Sequence, residues 1–281
     1  RGGSGSGTNE QSFTALGGEP AAKDLFDGVE TTWARYGSGG AEIGRLTEKA
    51  IAEFKGGDPA ASVPALFAIR AKLAALPRDP LIDDKRAQLD RIVQGCLGLK
   101  VQATADRPEV SPGEKIDWKL SASMSSNTAV RWVSTRLRTR EVSGSPVNLK
   151  SSTSADASVS EVVPVDTLLT QPYWLREEGA AGIFRVDEPK MIGRAENPAP
   201  FQIEFVFDVH GEKLAIPVVG EGLEQTAKGE RRRRVDVVSP VSLRFTADVT
   251  LFAPGSTKSV TVEVTALRPG VQGTLRVEVP A

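Results

Sequence analysis

The sequence predicts an α+β protein in which a small helical unit is followed by an antiparallel β-sandwich and then by the start of a second β-sandwich. Three observations support this fold class. Apolar residues recur at helical spacing between residues 41 and 96. At Lys100 their spacing changes from about 3.6 residues to about 2. Beyond that point, short alternating runs are separated by Pro and Gly turns, a pattern typical of sandwiches.

The first hundred residues predict a linker and a helical unit. Residues 1–18 are rich in Gly, Ser and Thr, which indicates a flexible linker or a cut chain end. The segment 19–99 is expected to form one helical unit with three helices, at Ala41–Phe54, Pro59–Leu76 and Leu81–Cys96. Gly or Pro residues follow each run, and residues of these types end helices.

The helical spacing also predicts which side chains face the core of this unit. In the second helix, Ile69 lies away from the stripe formed by the other apolar residues. In the third helix, Ile82, Leu89, Ile92 and Val93 are expected to point inward.

The segment 100–234 is expected to form the antiparallel β-sandwich. Strong alternation marks its strands, and His210-Gly211 predicts a hairpin turn after the last strongly alternating run. The strands are expected at Ile116–Leu120, Val130–Leu137, Ala157–Val165 and Phe201–Val209.

The segment 235–281 is expected to begin a second sandwich module. Three alternating runs occur, at Val241–Ala247, Ser259–Ala266 and Thr274–Val279. Because three strands rarely bury a core by themselves, this segment is expected either to pack on its neighbour or to continue beyond Ala281.

Composition and charge exclude several classes of protein. The fractions of hydrophobic residues, 40%, and of charged residues, 25%, are those of a soluble globular chain. A net charge of −1 disfavours binding to nucleic acid or to an anionic membrane. No apolar run approaches the roughly 20 residues that span a bilayer, and no charged-then-apolar signal peptide opens the sequence.

Histidine and cysteine are scarce. The chain has one histidine, His210, and one cysteine, Cys96. A zinc site takes three or four His, Cys or carboxylate ligands, and these two residues are predicted in different domains. We interpret His210 as a solvated turn residue and Cys96, within an apolar run, as a buried structural thiol. No catalytic residue, metal site or cofactor is therefore predicted within this chain.

Paired carboxylates offer weaker candidates. Asp83 and Asp84 stand near the start of a helix, where negative charge favours capping over metal binding. Glu177 and Glu178 lie in a Trp-containing stretch and are candidates for contact with a ligand. A glycosidase needs two carboxylates that face each other across a sugar, and sequence cannot place such a pair.

The densest positive charge is a run of four arginines at the entry of a strand. Such a run is usually a solvated edge that discourages pairing with another sheet. The alternative is contact with an anion, a polysaccharide or a partner, and the candidate residues for that contact are Arg231, Arg232, Arg233 and Arg234.

The stretch from Thr170 to Glu196 combines aromatic residues with many turn residues. Pro172 and Gly179 argue against a regular strand ladder there. Tyr173 and Trp174 either belong to the core, the commoner fate of such residues, or stack on a sugar ring.

Four segments together resemble one protein family. They are Asp24–Trp33, Ile92–Leu99, Gln171–Leu175 and Met191–Pro198. They resemble the non-catalytic region of large bacterial PIG-L/LmbE-type deacetylases, over roughly residues 20 to 280. The closing segment also resembles the start of β-sandwich modules attached to exported carbohydrate enzymes.

The resemblance implies a role for the parent protein rather than for any residue of this chain. In that family, an N-terminal Rossmann-like domain with an Ala-His-Pro-Asp-Asp-Glu type motif holds zinc and removes the acetyl group of an N-acetyl sugar. That motif is absent here, so no catalytic residue carries over. The resemblance implies a periplasmic or extracellular location and packing against the catalytic domain of the same protein.

Three functional hypotheses follow. The first is an accessory, non-catalytic region of such a deacetylase, which serves packing, substrate contact or anchoring. The alternative is a structural or adhesive extracellular β-sandwich protein that self-associates or binds glycans. A third, weaker hypothesis is an autonomous carbohydrate-active enzyme that uses Glu177 and Glu178.

Overall fold

The chain consists of two compact units, Arg1–Cys96 and Leu97–Ala281. The computed structural model describes residues 14, 16–17, 21–138, 140–144, 146–247, 249–251 and 253–277. The predicted linker, 1–18, lies outside the described residues except for Thr14, Leu16 and Gly17.

The three predicted helices are confirmed. They are α1 (Gly37–Ala52), α2 (Val63–Ala74) and α3 (Pro80–Leu97), and 3-10 turns at Trp33–Tyr36 and Pro59–Ser62 precede α1 and α2. Thr32 caps the first of these turns, because its hydroxyl accepts a hydrogen bond from the Ala34 amide at 3.2 Å.

Two side chains of this unit lie differently from their predicted positions. Ile69 was predicted off the buried face but is only 5% exposed. The reason is that α2 has contacts with both other helices: the Arg70 guanidinium on α2 bonds Asp90 on α3 at 2.8 Å, and α1 packs against α2. Ile92 was predicted inward but is 52% exposed, because the inward stripe of α3 runs through Val93, about 100° further round the helix.

The strands begin at Lys100, where the apolar spacing changes. In chain order they are β1 (Lys100–Ala105), β2 (Glu109–Val110), β3 (Lys115–Ser123), β4 (Val130–Arg136), β5 (Glu141–Val142), β6 (Val147–Asn148), β7 (Ala155–Val162), β8 (Glu177–Ala180), β9 (Ile183–Arg185), β10 (Gln202–Val209), β11 (Glu212–Val219), β12 (Glu221–Thr226), β13 (Gly229–Arg234), β14 (Asp236–Val237), β15 (Val241–Phe245) and β16 (Val262–Ala266).

Two five-stranded sheets enclose the core of the second unit. One has the order β13-β12-β1-β3-β7, and the other has the order β11-β10-β4-β5 with β6 also paired to β4. Within these sheets all pairs are antiparallel except β1 with β12. Aromatic rings join the two sheets: Trp118 packs on Phe201 with ring centroids 5.5 Å apart. The chain thus has a helical unit followed by β-sheets, which confirms the predicted α+β fold class.

The hairpin predicted at His210-Gly211 is confirmed. Both residues have positive φ, 53° and 86°, and they join β10 to β11. Positive φ at both central positions matches the right-handed twist of the two strands, and glycine adopts it without strain.

The segment after Arg234 returns to the sandwich before it forms a separate hairpin. β14 pairs in parallel with β2, and Val235 and Val237 are fully buried. β15 and β16 form a two-stranded antiparallel sheet. The predicted strand at Thr274–Val279 is wrong over 274–277, which are irregular; Glu278 and Val279 lie outside the described residues. Alternation supplies a side-chain pattern, but a strand also needs a backbone partner.

Candidate functional site

Two loop segments that are distant in sequence form one structure in the second unit. The Asn197 carboxamide accepts a hydrogen bond from the Tyr173 amide at 3.0 Å and donates one to the Gln171 carbonyl at 2.6 Å. The Tyr173 hydroxyl donates to the Arg194 carbonyl at 3.1 Å. Asn197 therefore acts as a clamp between Gln171–Leu175 and Met191–Pro198.

The same loops are anchored to the strands at residues 234–237. The Thr170 amide donates to the Val237 carbonyl at 2.7 Å, and the Val237 amide donates back to the Thr170 hydroxyl at 2.9 Å. Arg234 forms an ion pair with Glu196 at 3.0 Å. The loops are thus held at both ends by the sandwich.

A short hairpin, β8–β9, stands beside these loops. Gly179 is required there, because a Cβ atom at this position would lie 2.2 Å from the Ile183 carbonyl oxygen. Gly182 turns the chain with a φ of +75°. An ion pair between Arg176 and Asp187, at 3.5 Å, connects the residues that flank the hairpin.

The two loops and the hairpin line an apolar cavity of about 540 Å³ that is open to solvent. We call this cavity the aromatic pocket. The rings of Tyr173 and Trp174 meet edge to face, with centroids 4.9 Å apart and an interplanar angle of 89°. Tyr173 is buried, whereas Ile183, Phe184 and Ile192 are each more than 60% exposed. The lining residues are Tyr173, Trp174, Gly182, Ile183, Phe184, Val186 and Ile192.

This arrangement suits binding rather than acid–base chemistry. Glu177 and Glu178 are exposed neighbours on β8, and successive side chains of a strand point to opposite faces. The structure therefore does not bring these two carboxylates together as a facing pair. Glu177 lies opposite Arg185 in the register of the hairpin.

The arginine run divides into two pairs with different surroundings. Arg233 contacts three carboxylates, those of Glu109, Glu224 and Asp236. Arg234 contacts Glu196 and Asp236. These two arginines hold β13 to its neighbours and to the clamped loop.

The first two arginines of the run are the exposed pair. Arg231 and Arg232 have no ion pair among the described side chains. Within the run, they are the two arginines whose charges no carboxylate of the described residues balances.

Other predicted positions do not join this site. His210 is exposed at the tip of the β10–β11 hairpin. Asp83 lies in the first turn of α3, as the capping interpretation expects. Cys96 is half-buried, and burial raises the pKa of its thiol. Among the side chains that the structure describes, no three His, Cys, Asp or Glu residues gather as a metal site requires.

One buried polar pair was missed at the sequence level. Glu161 on β7 is 5% exposed and accepts a hydrogen bond from the Trp118 indole at 2.8 Å. Burial raises the pKa of Glu161, outweighing the indole hydrogen bond and the charges of Arg138 and Arg140, which lower it. The alternating pattern of the strand could have indicated this burial, because Glu161 lies two residues from both Val159 and Val163 and therefore points to the same inward face.

Comparisons with known proteins identify no family. No protein-family model and no curated protein matches the chain. The sporulation control protein Spo0M from Bacillus subtilis aligns at 10% identity and a TM-score of 0.26, over 50% of each chain. The alkylpurine DNA glycosylase AlkC from Pseudomonas fluorescens, bound to DNA containing an abasic site analog, aligns at 9% identity and a TM-score of 0.23.

The second alignment covers 57% of this chain and 46% of the glycosylase. This chain thus spans about half the length of each structure, and both TM-scores are below those of chains that share a fold. None of the described helices has the length and apolar character to cross a membrane.

Proposed function

We propose that this chain is the accessory, non-catalytic region of a PIG-L/LmbE-like zinc-dependent deacetylase, and that its aromatic pocket contacts the amino-sugar substrate of the parent enzyme. One observation supports the proposal most: Asn197 clamps two of the segments that resemble the family into a single open pocket lined by Tyr173, Trp174 and Phe184.

The chemistry of the pocket fits a sugar ring. One face of a pyranose presents C–H groups, which pack on aromatic rings, while its hydroxyls need polar partners at the edge. Trp174 and Phe184 supply ring surface. The adjoining strand β8 carries Glu177 and Glu178, and because successive side chains alternate between faces, one of these two carboxylates would lie on the side of the bound sugar. An acetamido methyl group would also find apolar contacts at Ile183 and Ile192.

The parent protein would supply everything that this chain lacks for the reaction. The described side chains offer no ligand set for the zinc of the resembling family, and in this proposal that zinc belongs to the catalytic domain of the parent protein. On the same resemblance, the partner of this chain is the catalytic domain of its own protein, and the location is periplasmic or extracellular.

Calorimetric titration with chitotetraose, a linear N-acetylglucosamine tetramer, tests the sugar contact. We expect saturable binding by the full chain and at least a tenfold loss of affinity in Trp174→Ala, because the variant removes a stacking surface. Phe245→Ala is the matched control, since Phe245 is an aromatic residue of the same unit, 53% exposed on β15 and not part of the pocket lining. Equal affinity of the two variants would contradict the proposal.

A second candidate function, self-association of a structural or adhesive protein, rests on the β15–β16 hairpin. One face of this hairpin carries only apolar side chains, in the cross-strand pairs Val241–Ala266, Leu243–Val264 and Phe245–Val262. Leu243, Phe245 and Val264 are each more than half exposed. Sedimentation velocity distinguishes this candidate: it requires a dimer that Leu243→Glu dissociates, whereas a monomer at the highest soluble concentration counts against it.

A further inference from the structure

Each of the two five-stranded sheets ends in two edges, and three of these four edges are protected against pairing. On β7, the Arg140 guanidinium donates to the Ser160 carbonyl at 2.8 Å. On β11, the bond from the Gly220 amide to the Phe201 carbonyl sets an alternation that turns Pro217, which has no N–H, outward. The β5 and β6 edge consists of strands of two residues each.

The fourth edge, β13, keeps its backbone groups open. β13 pairs with β12 on one side only. The Val235 amide donates to the Gly220 carbonyl at 3.0 Å, and hydrogen-bonded pairs alternate along an antiparallel ladder. Arg231 therefore directs its backbone groups toward β12, whereas Glu230 and Arg232 direct theirs to the open side. Among the described residues, none bonds these outward groups, which recur about 6.8 Å apart along the strand.

The open edge also carries positive charge that the chain does not balance. Arg231 and Arg232 are exposed and have no ion pair among the described side chains. Lys228, in the turn before β13, adds a third cation. The stretch 228–232 contains one carboxylate, that of Glu230, which accepts a hydrogen bond from the Gln225 carboxamide at 3.3 Å. This stretch is thus cationic on a chain whose net charge is −1.

The far end of β13 is held in place. Arg233 bonds Asp236 at 2.9 Å, and Arg234 bonds Glu196 at 3.0 Å. The open groups therefore belong to a strand that is already fixed, which lowers the entropic cost of adding a further strand.

We propose that β13 binds an extended, acidic segment of another polypeptide, which adds to the sheet as a further strand. The outward amide and carbonyl groups of Glu230 and Arg232 pair with the backbone of that segment. Two adjacent carboxylates of the segment contact Arg231 on one face of the sheet and Arg232 on the other, because successive side chains alternate. This inference is independent of the sugar contact proposed above.

Backbone geometry and charge together select this occupant over two others. Pairing with β13 of a second copy sets arginines against arginines, and like charges directly opposite each other are destabilising. An anionic polysaccharide balances the arginines, but it has no amides and carbonyls that repeat at the spacing of the outward groups. An acidic strand supplies both the charge and the repeating backbone groups.

Amide hydrogen exchange of the full chain, followed residue by residue by NMR, tests the proposal. The probe is an eight-residue peptide of Thr and Val with two adjacent central Glu residues. One control peptide carries N-methyl groups on both Glu residues, which keeps the charges and removes a backbone donor from each edge of the peptide. A second control replaces both Glu residues by Lys. Fluorescence anisotropy of the labelled peptides gives their affinities.

We expect the acidic peptide to bind saturably and to slow exchange at least tenfold at the Glu230 and Arg232 amides. Exchange at the Arg231 amide should change little, because this amide already bonds β12. The N-methylated and Lys peptides should bind at least tenfold more weakly.

Reversal of the two exposed charges should reverse the preference. The double variant Arg231→Glu/Arg232→Glu should bind the acidic peptide at least tenfold more weakly than wild type and should prefer the Lys peptide. The matched control is Arg78→Glu/Arg91→Glu, which changes the net charge equally at exposed arginines of the helical unit. It should keep the wild-type preference.

Two substitutions at Glu230 separate strand addition from charge attraction alone. Glu230→Gln and Glu230→Pro both remove the negative charge, so charge attraction alone predicts tighter binding of the acidic peptide by both. Strand addition predicts no loss in Glu230→Gln and at least tenfold weaker binding in Glu230→Pro, which also lacks the outward N–H. Proline at an outward edge position leaves the bonds to β12 in place. If thermal unfolding shows that the proline variant has lost its fold, the exchange pattern of the wild-type chain decides.

Three results would overturn the proposal. The first is that the acidic peptide does not bind, or that its N-methylated form binds equally well. The second is binding of dextran sulfate without binding of the peptide, which would indicate a polysaccharide site. The third is slow exchange at Glu230 and Arg232 that increases with protein concentration in the absence of peptide, which would indicate a second copy of this chain.

Discussion

At the scale of single residues, the most informative feature is a carboxyl group inside the sandwich. Glu161 accepts the indole hydrogen bond of Trp118, a side chain with no exposed surface. The hydrogen bond satisfies the indole donor, but it leaves a carboxylate in surroundings of low polarity, where the neutral form is favoured.

The raised pKa of Glu161 makes stability depend on pH. The folded state binds this proton more tightly than the unfolded chain, whose glutamate pKa is near 4.5. The contribution of Glu161 to stability is therefore complete below that value and is lost as the pH rises through the folded-state pKa. Glu161→Gln stays neutral and keeps an acceptor oxygen, so its free energy of unfolding, relative to wild type, should increase from pH 4 to pH 7 in urea titrations.

Asp117→Asn provides a control of opposite sign. Hydrogen bonds from Ser160 and Lys115 lower the pKa of Asp117. Its contribution to stability is present above the ordinary carboxyl pKa and is lost as the pH falls. The stability of Asp117→Asn relative to wild type should thus increase toward low pH. A Glu161→Gln difference that is constant with pH would contradict the assignment.

Backbone packing at Gly222 gives a second prediction at this scale. A Cβ atom there would lie 2.2 Å from the Arg107 carbonyl oxygen and 2.3 Å from the Pro108 Cα atom. Because backbone atoms cannot rotate away, Gly222→Ala should lower the free energy of unfolding by about 1–3 kcal/mol or more. Gly144→Ala is the control, since its Cβ meets no atom within 4 Å; equal stabilities would show that β12 and the Arg107 loop can separate.

At the scale of elements, periodicity predicted the helices and the strands with the clearest alternation, such as β3, β4 and β10, because side-chain spacing encodes which face is buried. It did not predict partners: the parallel pairs β1–β12 and β14–β2 join segments more than 100 residues apart. Alternation carries no information about such a neighbour. For the same reason the sequence singled out Tyr173 and Trp174, but it could not show that Asn197 and the β8–β9 hairpin complete their pocket.

The Asn197 clamp leads to a prediction about the pocket. Asn197→Ala removes two hydrogen bonds that hold the Tyr173 loop, each worth roughly 0.5–1.5 kcal/mol. We expect about a tenfold weaker affinity for chitotetraose in calorimetry, with thermal unfolding of the sandwich changed by only a few degrees. Unchanged affinity would mean that the loops keep their geometry without the clamp.

At the scale of the whole molecule, the two units present different surfaces. The second unit carries the aromatic pocket and an exposed apolar hairpin, whereas the helical unit carries a cavity of about 990 Å³.

An accessory role predicts that the isolated chain lacks the chemistry of its parent. With added zinc, the full chain should release no acetate from chitotetraose above the buffer rate, and equilibrium dialysis should show no tightly bound zinc. Acetate release that co-purifies with the chain and disappears with a chelator would overturn the non-catalytic assignment.

The most direct measurement is a ¹H–¹⁵N NMR titration of the full chain with chitotetraose. Contact at the aromatic pocket predicts saturable shifts in the amides of residues 173–192 and in the Trp174 indole. The amides of the helical unit and of the β15–β16 hairpin should remain unchanged. Saturable shifts that map elsewhere, or no shifts at millimolar sugar, would contradict the proposal that the aromatic pocket contacts the substrate.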